Sequence, residues 1–149
     1  GVLGEFVAPL PKNIVPIAIQ VAAQQRDVVE LQRKAQTKDQ TVERSFVHIL
    51  DVCDAVKLTL QWLQQQHHIL EHFDISGHVS SIEKLIATVE SVTSTQIVTI
   101  DSEYPVVELD QVASNSQKAQ QILKWQAQRS IQQMIEDEWR FYQNTLNHR

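Results

Sequence analysis

Glycine is nearly missing from this 149-residue chain: Gly1, Gly4 and Gly77 are the only three, and the prolines are Pro9, Pro11, Pro16 and Pro105. Ile17 to Ser76 contains neither residue type, so it offers no easy point at which to turn. Together with abundant glutamine, this predicts long helices with polar, weakly charged outer faces. So few glycines also leave no Gly-rich phosphate loop, and there is no nucleophile elbow and no Cys/His pair in a recognisable context. The one cysteine, Cys53, excludes an internal disulfide and reads as a small hydrophobe. No basic patch offsets the net charge of −5, which argues against nucleic acid and anionic membranes as partners. The longest early apolar run, Ile14 to Ile19, is interrupted by Pro16 and is far too short to span a bilayer. The chain starts at Gly1 with no signal peptide, which reads as a fragment or a cloning remnant with the cytoplasm as default location.

What is present is periodicity. Val42, Phe46, Ile49, Cys53, Val56, Leu60, Leu63 and Leu70 alternate in steps of four and three, with His67 in the remaining slot, the pattern of a coiled-coil seam. Upstream, Ile17, Val21, Val28, Leu31 and Ala35 keep the same spacing, with Gln24 in phase. Continued, that phase reaches Ser45 while Phe46 carries the stripe, so the register slips by one residue around Thr37 to Thr41. Two readings stay open. A continuous helix would make a rod of about 90 Å, against about 40 Å for a compact chain of this length, and would need a partner chain. A break, with Thr37 and Gln40 as a capping box, would fold the two halves into a hairpin.

Residues 1–16 read as an irregular arm, with Phe6, Val7 and Leu10 available for packing. Asp74 to Gly77 looks like a helix end, with Gly77 suited to a left-handed cap, and Ser80 with Glu83 predicts a capped helix over 81–93. Thr95 to Ile100 and Val106 to Leu109 suggest a small hairpin near 95–109. A last helix over 115–146 would turn Ala119, Ile122, Leu123, Ala127, Ile131, Met134, Ile135, Phe141, Tyr142 and Leu146 inward. The expected fold is therefore mainly α: a long coiled-coil-like helix over 17–76 and shorter helices in a bundle, forming one helical domain over 17–149.

Candidates for chemistry are few. His68 and His72, one helical turn apart beside His67, Glu71 and Asp74, raise the question of a metal. The glutamate that marks a zinc-protease helix is absent, and a solvated helix end explains the histidines without one. Asp51 with Asp54, and Glu136, Asp137 and Glu138, are neighbouring carboxylates that read as solvated helix surface rather than as an acid/base pair. No catalytic residue, metal or cofactor is expected. Trp62, Trp125 and Trp139 are three of only nine aromatics; Trp125 and Trp139, fourteen residues apart on one helix edge, are candidate partner anchors, with core packing as the competing reading.

Leu50, Asp51, Asp54 and Val56 in ILDVCDAV, followed by a short helix and an extended stretch with Ile100, Pro105, Glu108 and Val112, resemble the GrpE-type nucleotide exchange factors. A glutamine-rich helix stands where that family has most of its terminal β-domain. The resemblance implies a non-enzymatic co-chaperone, homodimeric through its long helices, acting on a DnaK-type chaperone. Tyr104, Pro105 and Glu108 would then join Trp125 and Trp139 as partner-binding residues. The other reading is a helical-bundle binding or sensory module of a larger protein with no chaperone role.

Overall fold

The computed structural model describes residues 2–3, 13–31, 43–67, 69–102 and 115–147. Its elements are β1 (Val2–Leu3), α1 (Ile14–Ala22), β2 (Val29–Leu31), β3 (Glu43–His48), α2 (Ile49–Leu63), β4 (His78–Ser81), α3 (Ile82–Thr93), β5 (Thr99–Asp101), α4 (Gln117–Leu123) and α5 (Ile131–Asn147). β3 lies between β1, to which it is parallel, and β4, to which it is antiparallel. A second pair, β2 and β5, runs parallel, with Val29 opposite Thr99 and Leu31 opposite Asp101. The architecture is mixed α/β, and the expected mainly α bundle is overturned.

The expected helix over 17–76 is divided into α1, β2, β3 and α2. α1 starts after Asn13, with Pro16 in its first turn, where the missing N–H is not needed. It ends at once after Ala22, where Gln24 takes φ 57°. The reasoning from scarce glycine fails at this point; Ser94 (φ 54°), at the expected end of the helix over 81–93, and Lys124 (φ 57°), inside the helix expected over 115–146, also end helices in the left-handed region. Each such residue carries the Cβ clash that glycine avoids. The third of these endings splits the expected helix over 115–146 into α4 and α5.

The apolar seam is likewise divided between element types. Phe46 is buried on β3, Ile49 to Leu63 lie on α2, and Leu70, 99% exposed, lies beyond the helix. Val42 and the slip at Thr37 to Thr41 fall outside the described residues. The switch occurs at His48, whose extended backbone (ψ 142°) ends the strand and whose Nδ1 accepts the Leu50 N–H at 3.0 Å, capping α2. Steps of three and four across a strand-to-helix junction therefore imitate one helical stripe. The expected hairpin near 95–109 is also corrected: β5 pairs parallel with β2, and 106–109 lies outside the described residues.

Strand alternation makes β3 the divider between two cores. Phe46 faces a cluster built from Val15, Ile19, Leu85, Val89, Met134 and Ile135 of α1, α3 and α5. Its neighbour Val47 faces the opposite way, into Ala55, Ala119, Leu123 and Trp125. α3 is capped by Ser81, whose Oγ accepts the Lys84 N–H at 3.2 Å, one residue later than the Ser80 box. Gly77 is not a helix cap. A Cβ there would lie 1.9 Å from the Phe46 carbonyl oxygen, so glycine is what lets this segment press against β3. Its N–H donates to Ser45 Oγ at 3.2 Å. No helix among the described residues is long and apolar enough to cross a membrane.

Candidate functional site

The densest polar centre is a knot where β3 passes into α2, against the turn between α4 and α5. His48 and Asp51 are both fully buried. Nδ1 of His48 accepts from the α2 backbone, so the ring proton sits on Nε2, which donates to Asp137 Oδ2 on α5 at 3.1 Å. Asp137 in turn accepts from Arg140 Nη1 at 3.0 Å, one turn further along α5. Asp51 Oδ2 accepts two backbone N–H groups of the α4–α5 turn, from Gln128 at 3.3 Å and Arg129 at 3.2 Å. Its Oδ1 takes the Arg129 guanidinium, which also reaches Asp54 at 3.2 Å. Trp125 closes the knot by donating Nε1–H to the Asp51 carbonyl at 2.8 Å.

The electrostatics follow from these contacts. Burial works against the charge on Arg129, but hydrogen bonds and attraction from Asp54 and Asp51 outweigh it and raise its pKa above the ordinary arginine value. Both His48 nitrogens and both Asp51 oxygens are engaged within the protein. A group used for acid/base catalysis needs an atom within reach of substrate. This knot instead fixes α2, the α4–α5 turn and α5 to one another.

Reading the carboxylates as solvated surface holds poorly for Asp51 and Asp137, which hold buried or half-buried partners, and for Glu138, which is itself buried. His48 and Arg129 were not singled out from the sequence at all. The available signal was His48 and Asp51 three residues apart at a helix start, where a cap and a first-turn acid belong.

The other expected site residues are dispersed. Trp125 is packed in the second core, and Trp139 lies partly buried against the first, stacked on Tyr142 at 6.5 Å between ring centres. Trp62 meets Phe73 edge-on. Tyr104, Pro105, Glu108 and His68 lie outside the described residues. His67 and His72 follow the end of α2 and neither lies on a helix, so the helical setting expected for the His68 and His72 pair is not what His72 occupies. Glu71 pairs with Lys118 instead, and no group of three metal-ligating side chains occurs among the described residues.

The fold is that of part of several longer solved structures. It superposes on UDP-glucose 4-epimerase from Stenotrophomonas maltophila with bound NAD and formylated UDP-arabinopyranose, at a TM-score of 0.88 and 23% identity. That match covers 100% of this chain and 47% of the epimerase. The complex of the Bifidobacterium longum epimerase with NAD+ and UDP superposes at 0.80, with 18% identity, over 99% of this chain and 46% of that one. A sequence model described as GDP-mannose 4,6 dehydratase matches residues 6–138, and the chain belongs to that family. Its relatives include UDP-glucose 4-epimerase 2 of Arabidopsis thaliana, 25% identical over 97% of this chain and 42% of the relative. The UDP-glucose 4-epimerase of Lacticaseibacillus casei is 30% identical over 97% of this chain and 44% of its own length. The chain thus spans less than half the length of these relatives.

These findings overturn the GrpE resemblance. The family and the named relatives are enzymes, so the expected non-enzymatic co-chaperone and its DnaK-type partner are set aside. The homodimer implied by long paired helices loses its basis with the helix itself, and the helical-bundle sensory module loses its own with the bundle.

NAD is bound in the epimerase structures, and the residues described here do not fit it. A dinucleotide pyrophosphate needs a glycine-rich turn that admits it to backbone N–H groups at a helix start. Gly77 is the only glycine among the described residues, and it is pressed against Phe46 and Val47 with its N–H already donated to Ser45.

Proposed function

We propose that this chain is the sugar-nucleotide side of a two-part epimerase or dehydratase, and that its ligand is a UDP-hexose. The observation that carries this reading is end-to-end similarity of the whole chain to less than half of an epimerase that holds both NAD and a UDP-sugar. Since nothing described here suits the dinucleotide, the sugar nucleotide is the ligand left to this portion. UDP is preferred to GDP because the named relatives of known activity are UDP-glucose 4-epimerases. The His48–Asp51–Arg129–Asp137 knot serves in this reading as scaffold, holding α2, α5 and β3 rigid around the ligand's surroundings. A cytoplasmic location accords with a single thiol that makes no disulfide.

Calorimetry and saturation-transfer NMR on the purified chain test the reading, with UDP-glucose, UDP and GDP-mannose as probes. UDP-glucose and UDP are expected to bind with similar affinity, and GDP-mannose more weakly. Binding of GDP-mannose alone would reassign the base. Absence of binding by all three at millimolar concentration would overturn the proposal.

A further inference from the structure

Among the described residues His48 is the one fully buried histidine, and its two ring nitrogens serve different elements. Nδ1 accepts the Leu50 N–H at 3.0 Å, and Nε2–H donates to Asp137 Oδ2 on α5 at 3.1 Å. The Leu50 N–H belongs to the first turn of α2, where no intrahelical carbonyl is in reach, so the ring is its acceptor. That bond exists only while Nδ1 carries no proton. An imidazolium donates from both nitrogens, and a proton on Nδ1 would set two donors against each other across 3.0 Å. A fully buried ring has no water to which it could turn the new N–H. The added charge nevertheless has a partner, because Asp137 is already bonded to Nε2 and a charge-assisted bond is the stronger one. A second proton therefore loosens one side of the ring and tightens the other.

We infer that His48 is a proton-operated clasp: as neutral imidazole it ties α2 to α5, and as imidazolium it stays on α5 and lets go of the first turn of α2. The effect reaches the whole knot because Asp51 lies in that same turn. The Asp51 carbonyl accepts from Trp125, and its carboxylate holds the Gln128 and Arg129 N–H groups and the Arg129 guanidinium. Displacing the turn slackens the hold of α2 on the α4–α5 turn. The charged and titratable groups around the ring, among the described residues, are Asp51 and Asp54 on α2, Arg129 in the α4–α5 turn, and Asp137, buried Glu138 and Arg140 on α5. β1 brings only Val2 and Leu3, Arg44 lies four residues back on β3, and His78 is exposed on β4 opposite Phe46. The inference is independent of the ligand proposed for the chain.

Ring-nitrogen NMR on the isotope-labelled 149-residue chain follows protonation of His48 Nδ1, and amide exchange follows Leu50, from neutral pH down to the onset of acid unfolding. Corrected for the intrinsic pH dependence of exchange, Leu50 should exchange about fivefold faster once Nδ1 is protonated, the weight of a lost N-cap, and the Trp125 indole N–H resonance should move in step. His48→Asn keeps a cap that accepts at every pH and cannot titrate, so Leu50 and Trp125 should stay flat over the same range. Asp137→Asn leaves Nε2–H an acceptor but removes the anion. His48 should then take up its proton only at more acidic pH, with Leu50 still opening in step, and this variant decides the matter if His48→Asn does not fold. The inference is overturned if Nδ1 stays unprotonated until the chain unfolds, or if it is protonated while Leu50 and Trp125 hold still. It is equally overturned if the step in Leu50 exchange survives in His48→Asn, or if Asp137→Asn leaves the His48 titration where it was.

Discussion

Replacing Arg129 with methionine isolates what the buried knot contributes, because methionine keeps much of the apolar stem and removes the guanidinium. Asp51, 1% exposed, would keep two backbone N–H donors at 3.2 and 3.3 Å but lose the one cation it meets among the described residues. Breaking a buried ion pair by removing one partner costs roughly 3–5 kcal/mol, since the remaining charge stays desolvated. The Arg129 side chain is 25% exposed, so water reaches the vacated place and the low end of that range applies. The arm to Asp54 adds little, below about 1 kcal/mol, because that carboxylate is largely in solvent. The expected loss is therefore about 3 kcal/mol, or about 6–12 °C in unfolding temperature for a chain of this size. Urea unfolding followed by tryptophan fluorescence measures it, with Trp125 reporting from inside the knot. Adding Asp51→Asn to Arg129→Met removes the stranded charge and should recover more than half of the loss. A loss below about 1 kcal/mol, or a double variant no better than the single one, would show that Asp51 is not effectively desolvated and would refute the reasoning. The folded-state pKa of Arg129 is raised, so its contribution is complete below the ordinary arginine range and fades only as pH climbs through the raised value. The difference between wild type and Arg129→Met should thus show no alkaline fade below that range.

Gly77→Ala would place a Cβ 1.9 Å from the Phe46 carbonyl oxygen, against backbone that has no rotamer with which to yield. A loss of about 3 kcal/mol, the top of the usual overpacking range, is expected by thermal unfolding, and a neutral result would mean that β4 sits further from β3. Ser94→Gly should stabilise by about 1 kcal/mol, because residue 94 already holds the left-handed conformation and glycine removes the Cβ clash there; unchanged or lower stability would count against that geometry. Glu71 is held below its ordinary pKa of 4.5 by hydrogen bonds from Lys118 and then from the His72 backbone. Its stabilising effect is present above that value and disappears as pH falls through the depressed one. Glu71→Gln should therefore flatten the acid limb of an unfolding-temperature profile, and an unaltered limb would show that the pairing has no net effect.

The parts of the fold legible in the sequence were those governed by local chemistry. The serines before Ile82 and the apolar face of Leu85, Ile86 and Val89 belong to a short helix whose cap lies one residue from the expected position. The long helix failed for a different reason. Its case rested on missing glycines, yet Gln24 takes a left-handed conformation at a cost of about 1–2 kcal/mol, which tertiary packing offsets, and Lys124 does the same within the helix expected over 115–146. The strands failed because the end of β3 is buried on both sides, with Phe46 in one core and Val47 in the other, so it shows no polar alternation there to separate it from a helix. Burial also hid the knot. Beyond its place in the first turn after His48, little local chemistry separates Asp51 from its exposed neighbour Asp54; the burial comes from the α4–α5 turn, whose Gln128 and Arg129 N–H groups, 77 and 78 residues away, donate to Asp51.

The regular stripe that suggested a coiled coil still carries structural information once it is divided. Phe46 belongs to the sheet and Leu70 to the surface, but Cys53, Val56, Leu60 and Leu63 do form one helical stripe, and it faces outward. A sequence shows that an apolar face needs a cover without showing what supplies it. In a helix paired with its own kind, the inner and outer positions would merge into a single seam of two residues in seven. Here Ala55, Leu58 and Trp62 form a second stripe on the opposite side, which a two-stranded coiled coil has no use for. Two stripes on a 15-residue helix do not fit such a seam, and among the described residues the second core takes up only the inner one. The same residues that pointed to a helical mate thus exclude, in their actual setting, a two-stranded seam along α2.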